Sequence, residues 1–169
     1  MNVKDVENIY DYSYWANRKL LEPLGRLSDE EFTKKIGGSY ESIRTTLVHI
    51  MNAEWGWLGR CGGPERGPRL NPGDFPTLQS VIDIQVKVED YFRTFLSTLK
   101  DEDLQREVEY KNDFDEKRVL PLGDMMLHAA NHGVHHRAQV CLMLRELGHT
   151  PGNIDLLFYY KETRSIPVW

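Results

Sequence analysis

Between Met125 and Leu144 the chain runs 20 residues with one permanently charged side chain, Arg137. The same stretch carries His128, Asn131, His132, His135, His136 and Gln139. A helix that is apolar nearly all round is expected to be buried. A buried imidazole or amide must find partners, because stripping it of water is costly. The clustering is pronounced: four of the six histidines in the chain fall at positions 128–136. The segment therefore reads as a core helix that contains its own polar site.

At about 100° per residue, His132 and His136 fall about 40° and about 80° from His128, with His135 about 20° to the other side. Gln139 falls inside the same arc, and Met125 and Met143 bracket it. Leu127, Ala130, Val134, Ala138 and Cys141 form a separate apolar stripe on a neighbouring face. Histidines at i and i+4 stand one turn apart, so both rings can reach a single cation. His128/His132 and His132/His136 both have this spacing, and spacing alone does not choose between them.

A third donor is required. His49 is the better candidate, on a helical face with Thr46, Ala53, Gly56 and Arg60, whose small members would let another helix approach. His149 lies beyond the helix end and would reach back poorly. A hydrogen-bonded structural role is the alternative for each of these histidines, and for a lone helical histidine it is the commoner one. There is no HExxH motif, because Ile50 follows His49 and Ala53 stands four residues on.

The rest of the chain is helical in period. Residues 3–24 carry Val6, Ile9, Tyr10, Tyr14, Leu20 and Leu21 at three- and four-residue steps, ending near Pro23–Gly25. Ser28 to Glu31 reads as a capping box for a short helical turn stopped by Gly37-Gly38. Second, third and fourth long helices are expected at 40–60, 77–99 and 122–147, the last ended by Gly148 and Pro151. Residues 59–76 hold five Gly and four Pro in 18 positions, so regular structure is not expected there, and a loop this long is a candidate site wall. Val108 and Tyr110 alternate with charged residues, which allows a short hairpin. A short helix fits 154–161, with an extended tail at 164–169. The 169 residues suit one domain spanning 1–169, an all-α four-helix bundle with a long crossover connection between helices two and three.

Composition excludes more than it selects. A net charge of −5 and the lack of a basic stripe argue against nucleic acid. The longest strictly apolar runs are five residues, against roughly 18 for a membrane span. The start, Met1 to Glu7, lacks the apolar stretch of a secretory signal. Cys61 and Cys141 stand 80 positions apart and form no CxxC pair, so free thiols and a cytoplasmic setting are expected.

The run from His128 through Asn131-His132, His135-His136-Arg137 and Gln139 to Gly148 and Pro151 resembles the last bundle helix of the DinB/YfiT-like superfamily. Leu47-Val48-His49-Ile50 with Glu54 and Trp57-Leu58 resembles that family's second helix, and Tyr14-Trp15-Ala16-Asn17 its first. Ala138 stands where the family often has glycine. The resemblance implies a divalent metal, commonly zinc or nickel, held by His49, His132 and His136. It also implies a homodimer, and in some relatives a thiol-dependent transferase or isomerase activity, bacillithiol S-transfer among them. On this reading a low-molecular-weight thiol is a co-substrate and a small electrophile the substrate. Three neutral ligands leave a position open, as catalytic sites do. The alternatives are a non-catalytic metal-binding or stress-induced protein, and an interaction protein whose histidines are merely polar. His128, His135 and Gln139 would orient ligands or relay protons. Arg60, Arg66 or Arg69 would bind a carboxylate of the cofactor, although a solvated charge is the plainer reading of each. Neither cysteine is marked as a nucleophile.

Overall fold

The computed structural model describes residues 1–63, 67–112 and 114–165. Helices α1 (Val3–Leu24), α2 (Asp29–Thr33), α3 (Ile43–Arg60), α4 (Leu78–Leu96), α5 (Leu122–Glu146) and α6 (Leu156–Arg164) dominate it, with one hairpin, β1 (Glu107–Lys111) and β2 (Lys117–Pro121). Capping fixes where several of them start. Asn2, Ser28, Ser42 and Thr77 each accept the backbone N–H three residues on, in reciprocal capping boxes. The third residue of each box, Asp5, Glu31, Thr45 or Ser80, answers the N-cap backbone. α5 ends at a Schellman turn: Gly148 has φ +84, and the His149 N–H reaches the Leu144 carbonyl at 2.8 Å. A side chain at position 148 would be strained in that left-handed conformation.

Four long helices pack in a ring of neighbours: α5 against α3 and α1, and α4 against α3 and α1. Two apolar clusters fill it. One joins Val6, Tyr10, Tyr14, Leu58, Phe92, Met125 and Met126. The other joins Leu20, Leu24, Leu47, Val48, Met51, Val140, Met143 and Leu144. Tyr10 stacks on Phe92 at 4.3 Å between ring centres, and its hydroxyl donates to the Met126 carbonyl at 2.9 Å. Each such ring contributes roughly 1.5–3 kcal/mol by leaving water.

Between the two clusters lies a polar layer. On α1 it contains Ser13 and Asn17, on α3 Asn52 and Glu54, and on α5 His136 and Arg137, all buried. The guanidinium of Arg137 donates to Asn17 Oδ1 and Ser13 Oγ, each at 3.2 Å. Gly133 makes room for it, since a Cβ there would lie 2.9 Å from Arg137 Nη1.

Several sequence expectations need correction. The second long helix begins at Ile43, not Tyr40, because Ser42 caps it; Tyr40 lies outside and is free to turn toward the site. The third ends at Leu96, not Leu99. The last helix runs Leu156–Arg164, so Arg164 is helical rather than extended, and residues 166–169 lie outside the described ones. Among the described residues of the stretch 59–76, Gly59 and Arg60 end α3 and Pro72–Asp74 form a short 3-10 turn, and the others are irregular. Most instructively, α5 is not buried all round. Ala130 and Cys141 of the proposed apolar stripe are buried, but Leu127 and Val134 are 43% and 38% exposed, and Ala138 is exposed too. Among the described residues no helix is long and apolar enough to cross a membrane.

Candidate metal centre

His49 comes from α3, His132 and His136 from successive turns of α5. These two helices pack closely, and the rings converge between them. His132 Nε2 lies 3.1 Å from His49 Nε2 and 3.1 Å from His136 Nε2. All three candidate ligand atoms fall within 4.8 Å of one another, and among the described residues these histidines form the one such group. Two nitrogens at about 2.0–2.1 Å from one ion stand roughly 3 Å apart, which matches these separations.

The protonation pattern favours a cation. His136 Nδ1 faces Gln139 Oε1 at 2.9 Å. Gln139 Nε2 points away, toward His135 Nε2 at 3.2 Å and Ser39 Oγ at 3.5 Å. The amide oxygen therefore takes the Nδ1 proton, leaving the His136 Nε2 lone pair facing inward. Burial, and then repulsion from His136, His128 and His135, pushes His132 down to about 4. His136 is also lowered, chiefly by burial, with Gln139 opposing. At neutral pH His132 thus has one ring proton to share, and it cannot serve both short Nε2 contacts well. A cation would use all three lone pairs at once.

Tyr40 supports the cluster from outside the helices. Its ring stacks on His49 at 3.9 Å and meets His136 edge-on at 5.5 Å. Nothing in the helical periodicity marks Tyr40, because it lies in the irregular segment before α3.

Of the two i, i+4 pairs, the structure assembles the second. His128 is exposed, its ring 6.3 Å from His132 and 4.7 Å from Trp57. It lines a cleft of about 710 Å³ that opens beside His49 and His132. Ala53 and Gly56 line this cleft, so part of the small face expected to admit a helix borders open space. Gly59, Arg60, Gly63 and Arg69 bring the Gly/Pro segment into the wall. Arg66 lies outside the described residues. The hairpin adds Tyr110, Asn112 and Phe114; the sequence marked Tyr110 as a hairpin residue but none of the three as a site residue. His149 pairs with Glu31 at 3.3 Å, far from this chemistry in role.

The protein's own thiols are poor nucleophiles. Burial pushes Cys61 up to about 12 and raises Cys141 as well. Glu54, buried in the polar layer, is raised to about 7 by burial, with the Tyr14 hydroxyl and the Arg137 charge opposing.

Comparison with known proteins matches the chain to one family. The chain is 24% identical to Protein DinB of Bacillus subtilis (strain 168) over 162 residues, covering 93% of this chain and 94% of that one. It is 27% identical over 147 residues to the uncharacterized protein YizA of the same organism, covering 84% and 87%. A DinB-like protein from Bacillus cereus ATCC 10987 shares the fold with a TM-score of 0.74 at 21% identity, over 90% of this chain and 97% of that one. A conserved protein from Enterococcus faecalis shares it at 0.61 and 13%, over 86% and 96%. The DinB family model matches residues 1–166, and the chain belongs to the DinB family.

Proposed function

We propose that His49, His132 and His136 hold one divalent cation, zinc or nickel by donor type, and that the adjoining cleft transfers a low-molecular-weight thiol, of the bacillithiol kind, to small electrophiles. The observation that carries this reading is the convergence of three Nε2 atoms beside an open cleft. When bound, a divalent cation there supplies the positive charge that keeps a thiol deprotonated at neutral pH. Gln139 fixes the tautomer and angle of His136, and Tyr40 fixes the plane of His49. With Cys61 and Cys141 buried, the reacting sulfur is supplied by the co-substrate. Its S–H proton passes to water, the sulfur lone pair forms the new C–S bond, and the leaving group of the electrophile, chloride in the case of monochlorobimane, departs with the pair of the bond that breaks.

The test is conjugation of monochlorobimane by metal-loaded protein with bacillithiol, cysteine or coenzyme A. Thiol-dependent turnover that stops with EDTA and in His132→Ala supports the reading; none above the uncatalysed rate with any of these thiols sinks it. A cation that only staples α3 to α5 would instead make the protein unfold on chelation. The two apolar clusters on either side of the polar layer favour a metal-free protein that stays folded.

The same reading places the protein in a reducing cytoplasm, where its two cysteines stay unpaired, and as a homodimer. Leu127, Val134 and Leu142 expose an apolar stripe along α5 that a second copy would cover. Light scattering of wild type against Val134→Glu checks it: a dimer mass that halves in the variant is expected, and a monomeric wild type sinks it.

A further inference from the structure

We infer that the cleft binds its electrophile by a flat aromatic body, held against a wall of rings from Trp57, Tyr110 and Phe114. This rests on the site reading above and names the class of substrate that the site takes.

The wall is the first support. Trp57 on α3 meets Tyr110 on β1 at 5.4 Å between ring centres and His128 on α5 at 4.7 Å, both in T-shaped geometry. Three separate elements thus bring one ring each to the same border of the cleft. Trp57 and Tyr110 are half-buried and pack on the cluster of Tyr10, Phe92 and Met125, so the wall has a fixed backing. The Arg60 guanidinium lies 4.8 Å from the Trp57 ring and 5.9 Å from that of Tyr110, which braces both. Asn52, which also lines the cleft, commits its amide to the backbone of Leu70. Its Oδ1 accepts the Leu70 N–H at 2.8 Å, and its Nδ2 donates to the Leu70 carbonyl at 2.9 Å, a clamp that leaves recognition to the rings.

Phe114 is the second support. It is 84% exposed, the most exposed large apolar side chain among the described residues, and it borders the same cleft. The turn that carries it is pinned. Asn112 Oδ1 accepts the N–H groups of Phe114 and Glu116, each at 3.0 Å, and the Asn112 N–H reaches the Glu116 carbonyl at 3.0 Å. Lys111 pairs with Asp115 at 2.7 Å. The hairpin therefore holds an uncovered phenyl ring at the rim of the cleft. Leaving that ring in water is unfavourable, and a flat ligand in the cleft would cover it.

The third support is the position of the wall. His49 and Trp57 both line the cleft and stand about 12 Å apart along the axis of α3. His128 joins the two ends, its ring 6.3 Å from His132 and 4.7 Å from Trp57. A ligand whose reactive carbon sits at the histidines places its body at the rings, and a cleft of about 710 Å³ is of small-molecule size. An aliphatic body would fill the same space without the stacked and edge-to-face contacts that a second π system makes.

Calorimetric titration of the full chain with 2-naphthylmethanol and with its saturated counterpart, decahydro-2-naphthylmethanol, tests this. Both carry the same hydroxyl, so any contact with a bound cation cancels in the ratio. The saturated compound is the more apolar, so burial alone favours it. The naphthyl compound is expected to bind at least about five-fold tighter. In Phe114→Ser and in Trp57→Leu the ratio should fall to within about two-fold, while Trp57→Phe keeps part of it. Phe114→Ser alters an exposed side chain and decides the matter should Trp57→Leu fail to fold. Equal binding, tighter binding of the saturated compound, or no binding of either overturns the inference. So does a preference that survives Phe114→Ser, which would place the probe elsewhere. If the protein takes up no zinc, the metal reading fails by itself, and the same ratio still decides the ring inference.

Discussion

α5 buries polar side chains toward both of its neighbours, and the two sets are satisfied in opposite ways. Toward α1, Arg137 finds neutral oxygens on Ser13 and Asn17, with Glu54 nearby to offset its charge. Toward α3, His132 Nε2 meets His49 Nε2 at 3.1 Å, and His136 meets His132 Nε2 at 3.1 Å and Gln139 Oε1 at 2.9 Å. The first arrangement is made by side chains of the chain itself and holds α1 to α5, although Arg137 Nε and Asn17 Nδ2 are buried without a hydrogen bond. The second is a set of donors converging on one point, which makes sense chemically when something else is bound there. Both carry a buried-polar cost, and the second points its Nε2 atoms at one another rather than at a donor or acceptor of another kind.

The sharpest way to break this comparison is to delete each side and unfold the metal-free proteins in urea. Arg137→Ala should cost about 3–5 kcal/mol, since it empties a buried site and strands its partners. His132→Ala should stay within about 1 kcal/mol of wild type, because the three imidazoles gain little from one another. Equal losses would mean that both sets are structural.

pH separates the two sides next. Glu54 ordinarily ionises near 4.5 and is raised to about 7 in the fold. Its penalty is absent below pH 4.5, grows from there to pH 7, and is complete above, amounting to about 3 kcal/mol. Glu54→Gln should therefore be more stable than wild type at pH 8 and similar at pH 4.5. His132 has the opposite sign: it is held to about 4 against an ordinary 6.5, so stability falls as pH drops through that window. Denaturation curves of Glu54→Gln between pH 4.5 and 8 should show that decline alone; an unchanged wild-type profile would remove Glu54 from the account.

A smaller effect sharpens the histidine side. Gln139→Leu removes the acceptor on His136 Nδ1. Zinc affinity should weaken by about 10-fold in competition with a chromophoric chelator, with the melting temperature unchanged. Smallest of all is the cysteine control. Native protein at pH 7.5 should resist iodoacetamide at both Cys61 and Cys141 over an hour, and rapid labelling would return a protein thiol to consideration.

Much of this architecture was readable from local chemistry. Gly148 stops α5 because the turn needs a left-handed residue, Ser28 opens α2 with a capping box and Thr77 starts α4, whereas the sequence pattern does not mark the caps at Asn2 and Ser42 and starts the second long helix three residues early. The pair His132/His136 was legible as a spacing, though choosing it over His128/His132 took the family resemblance. What was not legible depends on contacts distant in sequence. The Asn52–Leu70 clamp spans 18 residues, Tyr40 reaches the site from an irregular segment, and Phe114 arrives on a hairpin of which only the first strand alternates. Composition also misled: apolar residues on α5 could not distinguish a face packed on the core from one open to solvent, and Leu127, Val134 and Leu142 are the latter.

The central claim is that His49, His132 and His136 hold one divalent cation. Elemental analysis of protein purified without a histidine tag, wild type beside His132→Ala and His49→Ala, tests it most directly. The expected result is about one equivalent of zinc or nickel in wild type and little in either variant. A content well below one equivalent, unaltered by the substitutions, would contradict it.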